Sequence, residues 1–294
     1  MLCFRLVPLS IFIFLNAMAT HKSHAPILPN NFYDGMQTQT TQFKHKYSKQ
    51  ENSTMLTALQ ELYQHNHPSK ISKSPTAKIP KIIHHIWVGT KPIPENVEPM
   101  RQTWKKLHPG WTFKLWTNEE VKKLKWINPE AQSLYNRTKD PREKADLARY
   151  QILYEYGGVY SDADVKCVKS FSDLCHYYDF FVGISGNTNA EILNSAIIGA
   201  TPANPIITTL LQNIKDTDAL SFFQRAGVFY FSRGICENIL TAPGVNIALP
   251  TDFFYALPFL YNLKGKPISS YTSPLSMVIH YWAHTSDKNW KKKR

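Results

Sequence analysis

The pattern of apolar and polar positions changes character near residue 79. Before it, residues 26–78 are poor in apolar side chains and rich in Thr, Gln, Lys, Asn, His and Ser, the texture of a tether or stem. Within that stretch, residues 54–65 carry helical spacing with Asn52 or Ser53 as cap, and Pro68, Pro75 and Pro80 punctuate the approach to the domain. From Ile79 onward the periodicities sharpen. Residues 82–88 are a short β-branched run that predicts a buried strand. Residues 95–107 have helical spacing and end at Pro109-Gly110, and residues 112–116 predict a second strand. Asn118 is expected to cap a helix whose first turn carries Glu119 and Glu120. Asp140-Pro141-Arg142-Glu143 is a strong helix start, and that helix runs to Tyr156 before Gly157-Gly158. Val159 opens another strand, interrupted by two aspartates and resumed over 165–168. Strands and helices alternate, which predicts a doubly wound α/β domain.

The amino-terminal end reads as a targeting segment. Arg5 supplies a positive flank, residues 6–19 are apolar apart from Pro8, Ser10 and Asn16, and small-residue cleavage sites lie at Ala17-Met18-Ala19 and Ser23-His24-Ala25. A helix over 6–19 would cover about 21 Å, short of a ~30 Å hydrocarbon core. A cleaved signal peptide is expected, with membrane anchoring through residues 6–19 as the alternative. The expected organisation is a leader over 1–25, a stem over 26–78 and a catalytic domain over 79–294. The stem is expected to be dispensable for folding.

Composition narrows the partner. The 294-residue chain is 43% hydrophobic, enough for one substantial core, and carries a formal net charge of +12. A basic balance suits a phosphate-rich partner, or is plain solubility charge. No nucleic-acid-binding signature accompanies it, so a phosphate-bearing small substrate is preferred to DNA or RNA. Cys3, Cys167, Cys175 and Cys236 show no zinc-ligand spacing.

Candidate chemistry begins at Ser161-Asp162-Ala163-Asp164. Residues two apart in a strand share a face, so both carboxylates can aim at one point beyond the end of the Val159 strand. With phosphate oxygens and water they make an oxygen-rich site for Mn²⁺ or Mg²⁺. Such a pair alone is weak, since solvated turn acids have the same spacing. Upstream, Asp146 and Arg149 are three apart on one helix face and can reach one ligand.

The stretch ADLARYQILYEYGGVYSDAD over residues 145–164 closely resembles the signature of the DXD-containing sugar-transferase family. That family includes Golgi initiating α-1,6-mannosyltransferases, bacterial capsular and lipopolysaccharide sugar transferases and, more distantly, the large glucosylating toxins. IPKIIHHIWVG over residues 79–89 is similar to the family's first strand, and Trp104, Pro109-Gly110-Trp111, Trp116 and residues 194–200 add further matches.

The resemblance implies a glycosyltransferase A-type fold, a Rossmann-like mixed sheet with helical additions. It also implies retaining transfer of a hexose or N-acetylhexosamine from a UDP- or GDP-linked sugar to a glycan, lipid or protein acceptor. Carried over, Asp162 and Asp164 are the metal and diphosphate ligands, Asp146 binds donor sugar hydroxyls, and Arg149 is the cation beside it. Tyr160 matches an aromatic position near the diphosphate, with core packing as the alternative. Trp87 resembles the tryptophan that contacts the nucleotide base, and Asn194 is a candidate near the reacting sugar or a turn amide. His280, ahead of His284, is the candidate third metal ligand from the closing His-x-Trp segment. His84 and His85 read as structural. Gly227, Asp252 and the aromatics at 253–255 fall on the expected acceptor side. Two other readings are a glycoside hydrolase and a non-catalytic sugar- or nucleotide-binding protein. An exported enzyme of this kind fits a Golgi lumen, or secretion from a bacterium into a host.

Overall fold

The structure, a computed structural model, describes residues 28–39, 50–185, 192–257 and 266–282. The expected leader over 1–25, with its anchoring segment 6–19, and His284 lie outside the described residues. No helix among the described residues is long and apolar enough to cross a membrane.

The strands are β1 (Ile82–Ile86), β2 (Thr112–Trp116), β3 (Gly158–Ser161), β4 (Val165–Cys167), β5 (Phe180–Ile184), β6 (Leu193–Ala200), β7 (Asn246–Leu249) and β8 (Val278–His280). Six of them form one sheet in the order β2-β1-β3-β6-β5-β7, and β4 pairs with β8 in a separate two-stranded sheet. β1 is parallel to β2 and β3, β5 is parallel to β7, and β6 runs antiparallel to both β3 and β5. The expected mixed, doubly wound α/β sheet is therefore present. The helices are α1 (Gln50–His65), α2 (Val97–Leu107), α3 (Asn118–Val121), α4 (Pro129–Arg137), α5 (Pro141–Tyr156), α6 (Ser172–Tyr177), α7 (Pro205–Gln212), α8 (Phe222–Arg225), α9 (Val228–Asn238) and α10 (Thr251–Phe254). α5 packs on β1 and β3, α9 on β6, α10 on β5, and α2 on β4.

α5 forms where the sequence predicts it because both ends are specified. The Asp140 side chain accepts from Arg142 N at 2.9 Å, Pro141 fills the first turn, and Gly157 ends the helix at φ 58°. Gly158 comes next at φ 89°. A Cβ on Gly157 would lie 2.9 Å from Ala200 O, and one on Gly158 would lie 2.8 Å from Ile82 O. Only glycine permits this reversal from helix into β3 at such close backbone approach. His84 braces the same turn. The Trp116 indole N–H, a pure donor, reaches its Nδ1 at 3.0 Å, so Nε2 carries the hydrogen donated to Gly157 O at 2.9 Å. Burial pushes His84 down to about 4 and His85 down to about 3, so both are neutral and structural, as expected.

Two expectations are corrected. α3 begins at Asn118 but is capped by Thr117, whose N–H donates to Glu120 Oε2 at 3.1 Å. Asn118 instead clasps Gly89, accepting from its N–H at 3.0 Å and donating to its carbonyl at 2.8 Å. The amide therefore holds the loop that leaves β1. The larger correction concerns the stem. Leu28, Phe32, Met36, Leu56, Leu59 and Tyr63 are buried in the main core, α1 lies on β7, and the turn at Phe32–Gln39 lies on α10. Tyr63 Oη donates to Pro29 O at 2.7 Å, and Asn66 Nδ2 donates to Asn246 O at 2.8 Å. Leu56, Leu59 and Tyr63 fall at helical spacing, so one narrow stripe suffices to bury α1 although the segment is polar on average.

Residues 28–36 and 54–66 are thus part of the fold. Tyr63→Ala is expected to destabilise the protein by ~3 kcal/mol or more, as for other large-to-small core changes. A chain beginning at Lys78 should melt well below the full chain. Urea and thermal melts check both, and an unchanged midpoint in the truncated protein would contradict this packing.

Candidate active site

β3 delivers the two aspartates and a turn makes them converge. The strand ends at Ser161, Asp162 N donates to Ala196 O at 2.9 Å, and Val165 N donates back to Asp162 O at 3.3 Å. The pair therefore shares a point by turning between β3 and β4, where the sequence pattern implied one continuous strand face. β4 then pairs with β8, which sets Val165 opposite His280, and Tyr281 N donates to Asp164 O at 3.2 Å. His280 Nε2 lies 3.5 Å from Asp164 Oδ1. One ligand atom from each of Asp162, Asp164 and His280 falls within 4.8 Å of the others. This is closer than the ~5 to 9.5 Å over which paired acids cleave glycosides, which disfavours the hydrolase reading.

His280 is buried and its ring is boxed. The Trp282 ring lies 4.1 Å away between centroids and the Tyr255 ring 5.9 Å away. Trp282 donates its indole N–H to Leu257 O at 2.7 Å and holds φ at 54°, a left-handed conformation that a bulky residue adopts only when its surroundings impose it.

Behind the aspartates lies Arg149 of α5, its side chain 4% exposed. Its Nη2 is 3.0 Å from Asp146 Oδ1 and 3.2 Å from Asp162 Oδ1, and donates to Tyr160 Oη at 3.1 Å. The guanidinium also stacks on the Tyr160 ring at 4.3 Å. Burial alone would lower the Arg149 pKa, but Tyr160, Asp146 and Asp162 raise it, so the charge is held. Nε and Nη1 of Arg149 are buried and have no protein partner. Buried donors of a fixed cation left in this state suit an anionic ligand such as a diphosphate. Burial pushes the Asp146 carboxyl up to about 7; Arg149 opposes the rise, while Asp162, Glu143 and Asp140 add to it.

The remaining candidates divide. Trp87 stands half-buried just after β1, its indole N–H donating to Lys91 O at 2.9 Å. Asn194 is 7% exposed, and its Oδ1 accepts from Ala196 N at 2.9 Å. Tyr160 is 2% exposed, so the aromatic expected beside a diphosphate sits behind Asp162 instead. Asp252, Phe253, Phe254 and Tyr255 are all buried, which removes them from an open acceptor surface. Gly227 is nearer the chemistry: a Cβ there would stand 3.3 Å from Asp146 Oδ2.

Sequence reasoning missed Glu143, which is buried and holds Arg225 through contacts of 2.5 and 2.9 Å while accepting from Thr138 Oγ1 at 2.5 Å. That pair fastens α8, and so Gly227, to the start of α5. Its sequence signal was the acid at the third helical position, which marks a helix start and nothing more. Two carboxylates and an imidazole form a donor set that fits a divalent cation of the Mn²⁺ type, and the buried guanidinium beside them fits the phosphates such a cation accompanies.

These features form a candidate divalent-cation site beside a buried guanidinium. A family model described as the glycosyltransferase sugar-binding region containing DXD motif matches residues 94–181. The chain is 31% identical over 219 residues to an uncharacterised glycosyltransferase of Acanthamoeba polyphaga mimivirus, covering 72% of this chain and 84% of that one. It is 32% identical over 179 residues to inositol phosphoceramide mannosyltransferase 1 of Schizosaccharomyces pombe, covering 56% of this chain and 53% of that protein. The chain thus spans about half the length of this second relative. Among solved structures, the PaToxG glycosyltransferase aligns with a TM-score of 0.48 at 20% identity, covering 66% of this chain and 79% of that one. The chain belongs to the DXD-motif glycosyltransferase family and is an enzyme, a glycosyltransferase.

The raised pKa of Asp146 has a sign. An unfolded carboxyl ionises near 3.9, so ionisation disfavours the fold increasingly as pH rises from about 4 to about 7, and the deficit persists above that. Asp146→Asn is therefore expected to raise the Tm over wild type more at pH 8 than at pH 5, while weakening donor binding. Equal Tm differences at the two pH values would show that this carboxyl does not titrate late.

Proposed function

We propose that the enzyme moves a hexose, mannose in the first instance, from a nucleotide-diphosphate sugar to a hydroxyl of a lipid-linked or glycan acceptor, retaining the donor's anomeric configuration. The observation that carries this reading is the convergence of Asp162, Asp164 and His280 beside the two unpartnered donors of Arg149. The similarity to inositol phosphoceramide mannosyltransferase 1 supports mannose and a lipid acceptor.

In this reading Asp162, Asp164 and His280 hold Mn²⁺ or Mg²⁺, which when bound supplies Lewis-acid neutralisation of a leaving diphosphate. Arg149 directs Nε and Nη1 to the phosphates, and ionised Asp146 accepts hydrogen bonds from sugar hydroxyls. Trp87 stacks on the base, and Asn194, near the start of β6, is the candidate contact to the reacting sugar. Asp162 and Asp164 are committed to the cation and Asp146 to the sugar, so none of them is the nucleophile. The acceptor hydroxyl enters on the face the diphosphate leaves, and the departing phosphate oxygen takes its proton.

A screen of GDP- and UDP-sugars for Mn²⁺-dependent hydrolysis tests the donor, with GDP-mannose expected to be the best substrate. Asp162→Asn and Asp164→Asn should each lower turnover at least ~10²-fold, about 2.7 kcal/mol of transition-state stabilisation. Mutants that turn over like wild type in EDTA and in Mn²⁺ alike would sink the metal reading. Proton NMR of the first-formed product reads the anomeric coupling, and a β-linked product from an α-linked donor would exclude retention.

A further inference from the structure

The DXD carboxylates are usually considered for what they hold. In this chain one of them is itself held, and by a residue that the sequence pattern assigns elsewhere. Tyr160 lies on β3 opposite Ile198, two residues before Asp162, and its side chain is sealed from solvent. Its hydroxyl donates to Asp162 Oδ1 at 2.6 Å and accepts from Arg149 Nη2 at 3.1 Å, while the same Nη2 reaches Asp162 Oδ1 at 3.2 Å. The three groups close a triangle. A phenol has one O–H to give, and the Asp162 carboxylate oxygen, an acceptor only, is the partner that takes it.

We infer that Tyr160 is a positioning residue that makes Asp162 a one-oxygen ligand. A carboxylate oxygen that already accepts a neutral O–H and a cationic N–H has both in-plane lone pairs occupied, and the adjacent guanidinium repels a second cation from it. Oδ1 is thereby the anchored oxygen and Oδ2 the one presented to a divalent ion with Asp164 and His280. The arrangement fixes the rotation of the carboxylate about its terminal bond, which in a free aspartate is broad and has to be frozen on binding. Arg149 is shared between this clamp and the ligand, spending Nη2 on the protein and keeping Nε and Nη1 for the phosphates. The inference rests on the metal reading given above but not on the identity of the donor sugar.

The test is Mn²⁺ affinity, measured without any sugar nucleotide by the loss of the free-ion EPR signal. Tyr160→Phe keeps the ring against Arg149 and removes only the hydroxyl. Outer-sphere partners of metal ligands typically set affinity by 10- to 100-fold, so Kd for Mn²⁺ is expected to rise ~10-fold with the Tm little changed. Donor hydrolysis should then be restored by raising Mn²⁺. In an Asp162→Asn background the same Tyr160→Phe change should have no further effect on Mn²⁺ binding, whereas a general structural role would weaken both backgrounds equally. Should Tyr160→Phe fail to fold, Arg149→Lys removes the second donor to Oδ1 while keeping the charge, and the same loss is expected. Wild-type Mn²⁺ affinity in the folded Tyr160→Phe protein overturns the inference. No measurable Mn²⁺ binding by the wild-type protein overturns the metal reading on which it rests.

Discussion

The burial of the Arg149 guanidinium constrains more of this structure than any other interaction. A cation taken out of water needs compensation by charge and hydrogen bonding, and here Asp146, Asp162 and Tyr160 supply it from a helix and a strand at once. Compensation of that kind works only if α5 and β3 keep their relative position to a fraction of an ångström. The Gly157-Gly158 reversal sets that position, and His84 pins the reversal to β1 and β2. Much of the central sheet can thus be understood as the support of one charged side chain. Asp146, Asp162 and Tyr160 all engage Nη2, which leaves Nε and Nη1 buried without a protein partner.

The electrostatic division within the site is a matter of depth. Asp162 is the most exposed of the acids, with 31% of its side chain open, while Asp164 and Asp146 are at 13% and 14%. The guanidinium stands between Asp146 and Asp162 and contacts both. On the far side the buried ring of Trp282 packs on His280, whose Nε2 also lies 3.5 Å from Asp164 Oδ1.

Local signals are legible in the sequence and distant ones are not. Asp140-Pro141 and Gly157-Gly158 specify α5 by their own conformational chemistry, and the spacing of Asp162 and Asp164, weak by itself, marks the site once residues 145–164 are matched to the family signature. Tyr160 takes a neighbour the sequence does not announce, because alternation along a strand tells which face a residue takes but not that a helix cation will cover it. The cap of α3 lies one residue earlier than its pattern suggests because Asn118 finds a better partner in Gly89, a contact across the sheet end. The packing of α1 is hidden by averaging: three well-spaced apolar residues in a polar segment look like a linker until β7 is there to receive them. His280 is visible only through a family resemblance, and its proximity to Asp164 depends on the β4–β8 pairing that no local pattern reports.

That pairing has a consequence for how the enzyme becomes competent. β4 and β8 are separated along the chain by β5, β6, β7 and α10, so the imidazole joins the aspartates through a contact of long loop closure. Such contacts form late and open first, because their entropy is repaid only by the few bonds they make. A cation that uses both partners binds the closed form alone and, by mass action, adds its binding free energy to the docking of the carboxyl-terminal strand. The local concentration of divalent ion would then govern how long the last strand stays in place, coupling ionic conditions to the enzyme's lifetime against proteolysis.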